Sequence, residues 1–464
     1  MRWRGIVVVA LLVVACDNDP AAPSSFARKI DSVVAAANAH NALSAIVTVR
    51  ARQVDSVAVR FRLSDAPPGG DSITPAVQTA ADSAVVPVLG LLPDRRYILR
   101  AVAYWAGGNV VADPVELSTG NLPSDIPTYT VSGSDPSPGF VVFAAGMYGL
   151  VIDNTGRVIW YRRFPNGPGL NFMAEPNGRY AARPTTPDPT DLEPWLELDP
   201  LGNITRTFSC ALGLQSRFHD LISEPDGGYW LMCDETRTMD LTASGGVASA
   251  RVTGTAVQHL SSAGALLFHW SPFDHFAITD VDPADRTGAN VNWTHGNALD
   301  FDVDGNLIVS FRSLEEITKI NVVTGAVMWR MGGRRNQFTF LDSPVPPFSR
   351  QHGARMTAPG GLMLLDNVGN PFESRVERYT VDEAARTARL AHSYASSPGV
   401  VTLIGGSVQS LTGGRTLVSF GTAGRVEEFD SAGRVMWRIA GDAGYVFRAQ
   451  RIPSLYKPGV GTTR

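Results

Sequence analysis

The sequence predicts an all-β protein: a six-bladed β-propeller preceded by a β-sandwich of the fibronectin type III or immunoglobulin-like class. Three observations predict this fold. Many short runs alternate between apolar and polar residues, as half-buried strands do. The turns between them draw on 45 Gly and 31 Pro. Two hairpin-like phrases recur through the last two-thirds of the chain.

The N-terminus, MRWRGIVVVALLVVAC, is typical of an export signal, with two arginines before an apolar run too short to span a bilayer. The segment ends Val-Val-Ala-Cys and resembles a bacterial lipobox, in which Cys16 becomes the lipidated first residue. A plain signal peptide with an incidental Cys is the alternative. We therefore expect a signal peptide at 1–16 and a polar tether at 17–26. The protein is then expected to be lipid-anchored to a bacterial membrane and to face the periplasm or cell exterior.

Residues 27–122 are predicted to form the sandwich. Runs such as SAIVTVRA (44–51) have period two, with one face buried and the other exposed. Leu92, Pro93 and Tyr97 precede a later strand with the spacing of a tyrosine corner. No constellation of polar residues stands out here, so we interpret the domain as structural.

Residues 128–464 are predicted to form the propeller. Each phrase is a strand, a Gly/Asn/Asp turn and a second strand, hence a hairpin. The outer phrase recurs at 151–163, 197–209, 259–271, 320–332 and 428–440, with a weaker copy at 378–394. The inner phrase recurs at 174–184, 223–233, 302–311, 357–367 and 410–420, with 134–145 expected as its first copy and 445–456 expected to help close the ring.

Histidines stand just before three successive inner hairpins, in a chain that has only 8 His. They are His219, His295 and His352. Asn297 follows His295 by two, so on an extended backbone it faces the same side. Arg312 ends the hairpin that begins at His295. We expect these side chains to meet at the mouth of a central channel, although a structural histidine that caps a turn is the alternative for each one.

Two kinds of chemistry fit such a cluster. Histidine is the commonest transition-metal ligand, but Asp220 is the only carboxylate in a matching position and the nearby arginines would repel a cation. Neutral imidazoles, an amide and a guanidinium suit an oxyanion such as sulfate or phosphate, with one His as nucleophile and another as proton donor. A polar stretch behind His352, which includes Asp366 and Asn367, either supports it or is an ordinary turn.

The phrases WTHGNALDFDVDGNLIVSFR, TGAVMWRMGG and QHGARMTAPGGLMLLDNVGNPFESRVERY resemble the bacterial arylsulfate sulfotransferases. The resemblance extends to the N-terminal sandwich, the propeller and the export signal. It implies transfer of a sulfuryl group from a phenolic sulfate ester to a phenol through a sulfated histidine, with ping-pong kinetics and without 3′-phosphoadenylyl sulfate, another cofactor or a metal.

By the same resemblance, His352 is the nucleophile and His295 the general acid/base. Asn297, Arg312 and His219 hold the sulfuryl oxygens. The small-molecule partners are then an aryl sulfate and a phenol. The alternatives are a non-catalytic propeller that binds a sulfated or phenolic ligand, and a metal-dependent propeller hydrolase.

The rest of the composition adds two points. With 40 Lys+Arg against 44 Asp+Glu, and no basic stripe interleaved with aromatics, nucleic acid is not an expected partner. Cys210 and Cys233 flank a predicted strand and turn, so an exported chain could pair them in a disulfide, or they could remain unpaired.

Overall fold

The structure, a computed structural model, describes residues 28–184, 194–440 and 444–459. The predicted signal peptide (1–16), the tether (17–26) and Cys16 lie outside these ranges. The prediction of an all-β protein is confirmed, with 50% strand against 4% helix. Within the described ranges, no helix is long and apolar enough to cross a membrane.

The N-terminal region forms two antiparallel sheets around one apolar core. Its strands are β1 (Lys29–Ala37), β2 (Ser44–Arg52), β3 (Ser56–Leu63), β4 (Ser72–Ile73), β5 (Val77–Gln78), β6 (Ser83–Leu89), β7 (Arg96–Trp105), β8 (Gly108–Val111) and β9 (Val115–Ser118). One sheet has the order β1-β2-β6. The other has the order β4-β3-β7-β8, with β5 on β3 and β9 on β7. Alternate residues of β2 and β6 are buried in the core between the sheets, as their period-two pattern predicts. The Tyr97 hydroxyl accepts a hydrogen bond from the Leu92 N–H at 2.8 Å.

The rest of the chain forms six further sheets. In chain order, their strands begin with β10 (Thr130–Gly133), β11 (Phe140–Ala145), β12 (Tyr148–Ile152), β13 (Val158–Arg163), β14 (Phe172–Ala174), β15 (Tyr180–Ala182), β16 (Trp195–Leu198), β17 (Ile204–Phe208), β18 (Gln215–Ser223), β19 (Tyr229–Met239), β20 (Ala250–Leu260), β21 (Leu266–Trp270) and β22 (Asn290–Asn292).

The remaining strands are β23 (Gly296–Phe301), β24 (Leu307–Phe311), β25 (Glu316–Ile320), β26 (Val327–Gly332), β27 (Thr339–Leu341), β28 (His352–Ala358), β29 (Gly361–Asp366), β30 (Arg375–Asp382), β31 (Thr387–Ala395), β32 (Ser407–Ser410), β33 (Thr416–Ser419), β34 (Val426–Phe429), β35 (Val435–Ala440) and β36 (Ala449–Ile452). Short 3₁₀ turns lie at Thr242–Ser244, Pro272–Asp274, Ile278–Asp280, Pro283–Arg286 and Thr412–Gly414.

Each of the six sheets has four antiparallel strands in simple order. The orders are β36-β11-β12-β13, β14 to β17, β18 to β21, β23 to β26, β28 to β31 and β32 to β35, which we call the first to the sixth sheet. In addition, β22 pairs with β20, β27 with β31 and β10 with β35. The leading strands contact one another: β18 with β23, β23 with β28, β28 with β32, and β36 with both β32 and β14. The recurring phrases do form hairpins in the second to the sixth sheets.

The prediction that 134–145 forms an inner hairpin is wrong. Residues of β11 pair instead with β36 from the end of the chain, and β10 pairs with β35 in the sixth sheet. Two glycines permit these close pairings. A Cβ atom at Gly139 would lie 2.3 Å from the carbonyl oxygen of Ile452, and one at Gly133 would lie 2.2 Å from that of Met436. The segment 445–456 thus supplies the leading strand of the first sheet.

One disulfide and one hydrogen bond link neighbouring parts of the structure. Cys210 and Cys233 form a disulfide with their Cα atoms 6.1 Å apart, which ties the segment before β18 to β19. The side chain of Asn38 donates to the carbonyl of Leu201 at 2.7 Å, so the N-terminal region contacts the second sheet.

Candidate active site

Each of the three predicted histidines lies where its strand departs from regular pairing. His219 lies within β18, His295 immediately precedes β23, and His352 begins β28. The pairing register shifts within β18 and at the starts of β23 and β28. Such bulges turn a side chain away from the direction that regular alternation would give it. The three strands therefore present their histidines from equivalent positions.

The three imidazoles form one cluster beside Phe447. The ring centroids of His219 and His295 are 5.0 Å apart, and those of His295 and His352 are 6.5 Å apart. The Phe447 ring centroid lies 5.5 Å from that of His219 and 6.4 Å from that of His352. Phe447 just precedes β36, outside the repeated phrases, so no position in the repeat could have indicated it.

His352 is completely buried, and both its ring nitrogens are engaged. Nδ1 lies 2.9 Å from Oδ1 of Asn367 and 3.0 Å from the carbonyl oxygen of Arg350. Both partners are acceptors, because the Asn367 amide nitrogen already donates to the carbonyls of Thr402 and Gly405. Nδ1 therefore carries the proton, and the lone pair lies on Nε2. Burial lowers the pKa of His352 to about 4, so the ring is neutral at ordinary pH.

The lone pair of His352 meets one backbone group. The Gly405 N–H donates to Nε2 at a distance of 3.3 Å, a long hydrogen bond. Gly405 belongs to the loop that leads into β32 and has a φ of 74°, which favours glycine. The loop thus covers the side of the imidazole that a nucleophile would use.

His295 has the left-handed backbone conformation, with a φ of 48°. Its Nδ1 lies 2.7 Å from the amide nitrogen of Asn292. Burial holds the pKa of His295 well below its usual range, and the charges of Arg217 and Arg312 contribute. A bound anion would offset those charges and raise this pKa again.

His219 is buried and contacts Arg217 from the same strand. The Arg217 Nε–H donates to Nδ1 of His219 at 3.2 Å, and the Arg217 guanidinium forms an ion pair with Asp234. Burial, followed by the positive charge of Arg217, holds the pKa of His219 well below its usual range. Sequence analysis missed Arg217, although it stands only two residues before His219.

Arg312 lies beside His295 and His352. Its backbone N–H donates to the carbonyl of His295 at 2.9 Å. Its Nη2 donates to the carbonyl of Leu403 at 3.1 Å, whereas its buried Nε has no hydrogen-bond partner in the described part of the chain. The Arg312 charge helps to lower the pKa of both histidines. A partly buried cation with an unused donor is suited to an anion.

Asn297 is buried behind the cluster. Its amide nitrogen donates to the carbonyl of Gln351, the residue before His352, at 2.7 Å. In this arrangement one of the two amide hydrogens of Asn297 supports the start of β28. Direct contact between Asn297 and the sulfuryl group stays a prediction.

A layer of charged groups lies next to the histidines. Asp220 forms ion pairs with Arg355 and Arg448, each at 2.9 Å. It also accepts a hydrogen bond from the N–H of Leu299 at 2.9 Å. Burial opposes its charge, but the two guanidinium groups outweigh burial and lower the pKa of Asp220. The one carboxylate that a metal site could have used is thus held by two cations.

The two arginines that flank His352 point to different partners. Arg355 binds Asp220, whereas Arg350 forms an ion pair with Asp285 at 2.7 Å. The other histidines make contacts of their own, which are His259 with Glu224, His269 with Gln258, His275 with Trp270 and His392 with Tyr394. Among the residues whose positions are described, no group of three His, Cys, Asp or Glu side chains is placed to hold a metal ion.

Comparison with known families decides the affiliation of this region. Residues 214–442, which include all three clustered histidines, match the family described as Arylsulfotransferase (ASST). Residues 214–442 form an arylsulfotransferase-family domain. The predicted family resemblance is confirmed for this domain, which spans β18 to β35. No curated protein matches the chain.

The solved structures that this chain resembles have low sequence identity to it and low TM-scores. A protein of unknown function from Bacteroides caccae has 12% identity, with 68% of this chain and 98% of that chain covered and a TM-score of 0.43. Virginiamycin B lyase from Staphylococcus aureus has 10% identity, with 67% and 83% covered and a TM-score of 0.34. Similarities of this degree imply no shared activity.

Proposed function

We propose that the chain transfers a sulfuryl group from a phenolic sulfate ester to a phenolic acceptor, through a sulfated His352 and without 3′-phosphoadenylyl sulfate. The observation that carries the proposal is the tautomer of His352. An acceptor on Nδ1 and a pKa lowered to about 4 keep the ring neutral, with its lone pair on Nε2. A neutral imidazole held in one orientation is the state that a histidine nucleophile requires.

The first half-reaction consumes the donor. Nε2 of His352 attacks the sulfur atom, so an N–S bond forms while the bond from sulfur to the phenolic oxygen breaks. The electron pair of the broken bond leaves with that oxygen, which takes a proton from His295. His295 holds this proton once the anionic ester offsets the charges of Arg217 and Arg312, which together with burial keep its pKa low.

The second half-reaction is the reverse with a new phenol. His295, now neutral, takes the proton of the acceptor hydroxyl, and the phenolic oxygen attacks the sulfur of sulfated His352. The N–S bond breaks, and its electron pair returns to Nε2. Because both half-reactions use the same groups, the kinetics are ping-pong.

Arg312 and His219 hold the negative charge of the sulfuryl oxygens. Arg312 has an unused buried Nε–H and one N–H that is satisfied only by the Leu403 carbonyl. Fixed donors of this kind stabilise charge that develops in the transition state. A donor ester must also displace the Gly405 N–H from Nε2, which it can do because that hydrogen bond is long.

The finer architecture belongs to the same proposal. We infer that the six sheets are the blades of one β-propeller, since the leading strands of neighbouring sheets contact one another except for β14 and β18, which are linked by a hydrogen bond from Asn171 to the carbonyl of His219. The two N-terminal sheets are then a fibronectin-III or immunoglobulin-like sandwich. The export signal at 1–16 and lipidation at Cys16 would place the enzyme on the outer side of a bacterial membrane.

One observation favours a second candidate, a non-catalytic domain that binds an aryl sulfate. His352 is completely buried, and the loop at Gly405 covers its lone pair. If that loop does not move, an ester could bind Arg312 but could not react. A metal-dependent hydrolase is disfavoured, because Arg217 and Arg312 lie beside the imidazoles and repel a cation.

The test is to incubate the purified protein with 4-nitrophenyl sulfate, first without and then with phenol. We expect one sulfuryl group on the peptide that contains His352, measured by mass spectrometry, and its loss when phenol is added. The His352→Asn variant serves as the control, because an amide cannot attack sulfur. Binding of the ester without release of 4-nitrophenol would favour the non-catalytic candidate. A label on another residue would overturn the assignment of His352.

A further inference from the structure

Arg217 contacts His219, and the repeated phrases of the sequence did not predict this contact. The two residues are two apart in β18, so an extended backbone brings their side chains to one side. The Arg217 Nε–H donates to His219 Nδ1 at 3.2 Å, and both side chains are buried. On its other side, the guanidinium forms an ion pair with Asp234 in β19.

This contact decides where His219 carries its proton. A guanidinium has donors and no acceptor, and it stays charged at every pH at which proteins fold. The nitrogen that faces it must therefore offer a lone pair. Nδ1 of His219 is that nitrogen, so the proton lies on Nε2. Protonation of His219 would place an N–H against the Arg217 N–H, with two cations side by side.

The partner of His352 has the opposite chemistry. There, the Asn367 carbonyl oxygen accepts from Nδ1 and leaves the lone pair on Nε2. A donor beside one imidazole and an acceptor beside the other give the two rings opposite tautomers. One ring can act as a nucleophile, and the other presents an N–H group.

We propose that Arg217, held by Asp234, is a positioning residue that fixes His219 as the Nε2–H tautomer, so that His219 donates a hydrogen bond to a sulfuryl oxygen and takes no part in proton transfer. The inference rests on the proposed function only for the identity of the acceptor, a sulfuryl oxygen, of the hydrogen bond from His219. The tautomer itself follows from the contact with Arg217.

The neighbouring disulfide supports the position of both charged partners. In the β18–β19 pairing, Ser216 lies opposite Cys233, and Gln215 lies opposite Asp234. Cys233 is bonded to Cys210. Cys233 therefore adjoins Asp234 in β19 and lies opposite Ser216, the residue before Arg217, in β18.

The test uses three variants in protein that is ¹⁵N-labelled at histidine and free of substrate. Arg217→Met removes the donor and keeps the length of the side chain, and Arg217→Lys keeps a charged donor. Arg237→Gln is the matched control. Arg237 lies in β19, the strand that contains Asp234, but it pairs with Glu235 at the surface, and 46% of its side chain is exposed. The readouts are the tautomer of His219 by NMR, and kcat and KM for the donor ester.

We expect wild type, Arg217→Lys and Arg237→Gln to keep His219 as the Nε2–H tautomer. Arg217→Met should populate the Nδ1–H form and lower kcat/KM by about tenfold to a hundredfold, as loss of a supporting contact does. An Nδ1–H tautomer in wild type, or an unchanged tautomer in Arg217→Met, would overturn the inference. If Arg217→Met does not fold, Asp234→Asn replaces it, with a smaller shift in the same direction expected.

Failure of this inference is distinguishable from failure of the proposed function. The NMR readout needs no turnover, so it tests the role of Arg217 even if no sulfuryl transfer is found. Transfer through His352 with a tautomer of His219 that is independent of Arg217 would overturn the inference alone.

Discussion

The chemistry of a histidine in this protein is set by the atom that faces its Nδ1. His352 faces a carbonyl oxygen, His219 faces a guanidinium N–H, and His295 faces the amide of Asn292. The three rings are of one residue type and lie within one cluster. The neighbours of His352 and His219 nevertheless assign the two rings opposite tautomers, which is how identical side chains can divide the steps of one reaction.

The pH dependence of turnover should follow His352. The ring must be neutral to attack, and burial lowers its pKa to about 4. From the sequence alone, the fall in activity at low pH would be expected at the ordinary histidine pKa of ~6.5. We therefore expect the loss of kcat/KM that comes from protonation of His352 to begin only near pH 4, and not as pH falls through 6.5. A decline centred near 6.5 would show that the ring is solvated in the working enzyme.

Replacement of His295 should affect esters of weakly acidic phenols most. An acidic phenol leaves as a stable phenolate, whereas a weakly acidic phenol needs the proton that His295 supplies. His295→Asn is the variant of choice, because asparagine tolerates the positive φ at this position. The measurement is the rate of donor desulfation across a series of substituted phenyl sulfates. An equal loss for every ester would mean that His295 only positions the substrate.

At the scale of the element, the fifth sheet contains a buried pair of acidic residues behind the site. Glu377 accepts a hydrogen bond from the Tyr379 hydroxyl at 2.6 Å. Burial, followed by the neighbouring Asp366, raises the pKa of Glu377 to about 8. Burial also raises the pKa of Asp366 to about 7. Asp366 accepts from the N–H of Ser349 at 2.8 Å, so the pair supports the turn that leads to His352.

Glu377→Gln should remove part of the loss of stability that wild type shows as pH rises from about 5 to about 8. The pKa of Glu377 is about 8 in the folded state, against an ordinary value of 4.5. Between these values the unfolded chain holds fewer protons, so the free energy of unfolding falls as pH rises. We expect the variant to gain about 1–3 kcal/mol relative to wild type between pH 5 and pH 8, measured by denaturant unfolding.

The matched control for this experiment is Glu116→Gln. The Glu116 side chain is 66% exposed, so its replacement should not change the pH dependence. If Glu377→Gln loses stability in parallel with wild type from pH 5 to pH 8, Glu377 is ionised in the folded protein.

At the scale of the whole molecule, the first sheet combines three strands from residues 140–163 with one strand from the C-terminal segment. Its leading strand, β36, pairs with β11 across more than three hundred residues of sequence. The same C-terminal segment contributes Phe447 and Arg448 to the site. Stability and site geometry therefore depend together on this pairing.

Gly139→Ala tests that dependence. Gly139 has a φ of 105°, and a Cβ atom there would lie 2.3 Å from the Ile452 carbonyl oxygen. We expect a loss of about 3 kcal/mol or more in the free energy of unfolding, together with lower turnover. Gly146→Ala is the control, with a φ of 55° and no atom within 4 Å, and should cost about 1 kcal/mol. Equal losses for the two variants would show that the β11–β36 contact is not important for stability.

The sequence predicted those parts of the molecule that the repeat contains. Five of the six inner hairpins were predicted because Gly, Asn and Asp mark their turns, and the histidines were predicted because they recur in register. In the first sheet the outer hairpin, β12 with β13, was predicted from the phrase at 151–163. Its inner pair was not, because β36 and β11 come from distant segments and share no phrase. Arg448 and Phe447 were missed for the same reason.

Contacts that cross sheets left no local pattern either. Asp220 stands beside His219 in the sequence and could be interpreted as a metal ligand. Its partners, Arg355 and Arg448, come from the fifth sheet and from the segment before β36. Only the three-dimensional arrangement shows that two cations share this carboxylate. The roles of buried polar residues depend on such distant partners, whereas hairpins depend on neighbours in sequence.

The bond between Cys210 and Cys233 has a consequence for where the chain matures. The cytoplasm keeps thiols reduced, whereas compartments outside it allow disulfides to form. Under the proposed export, the nascent chain crosses the membrane with both thiols free, and the third sheet gains its covalent constraint only on arrival. The disulfide next to the strand that carries His219 would then form outside the cytoplasm, and copies retained in the cytoplasm would lack it.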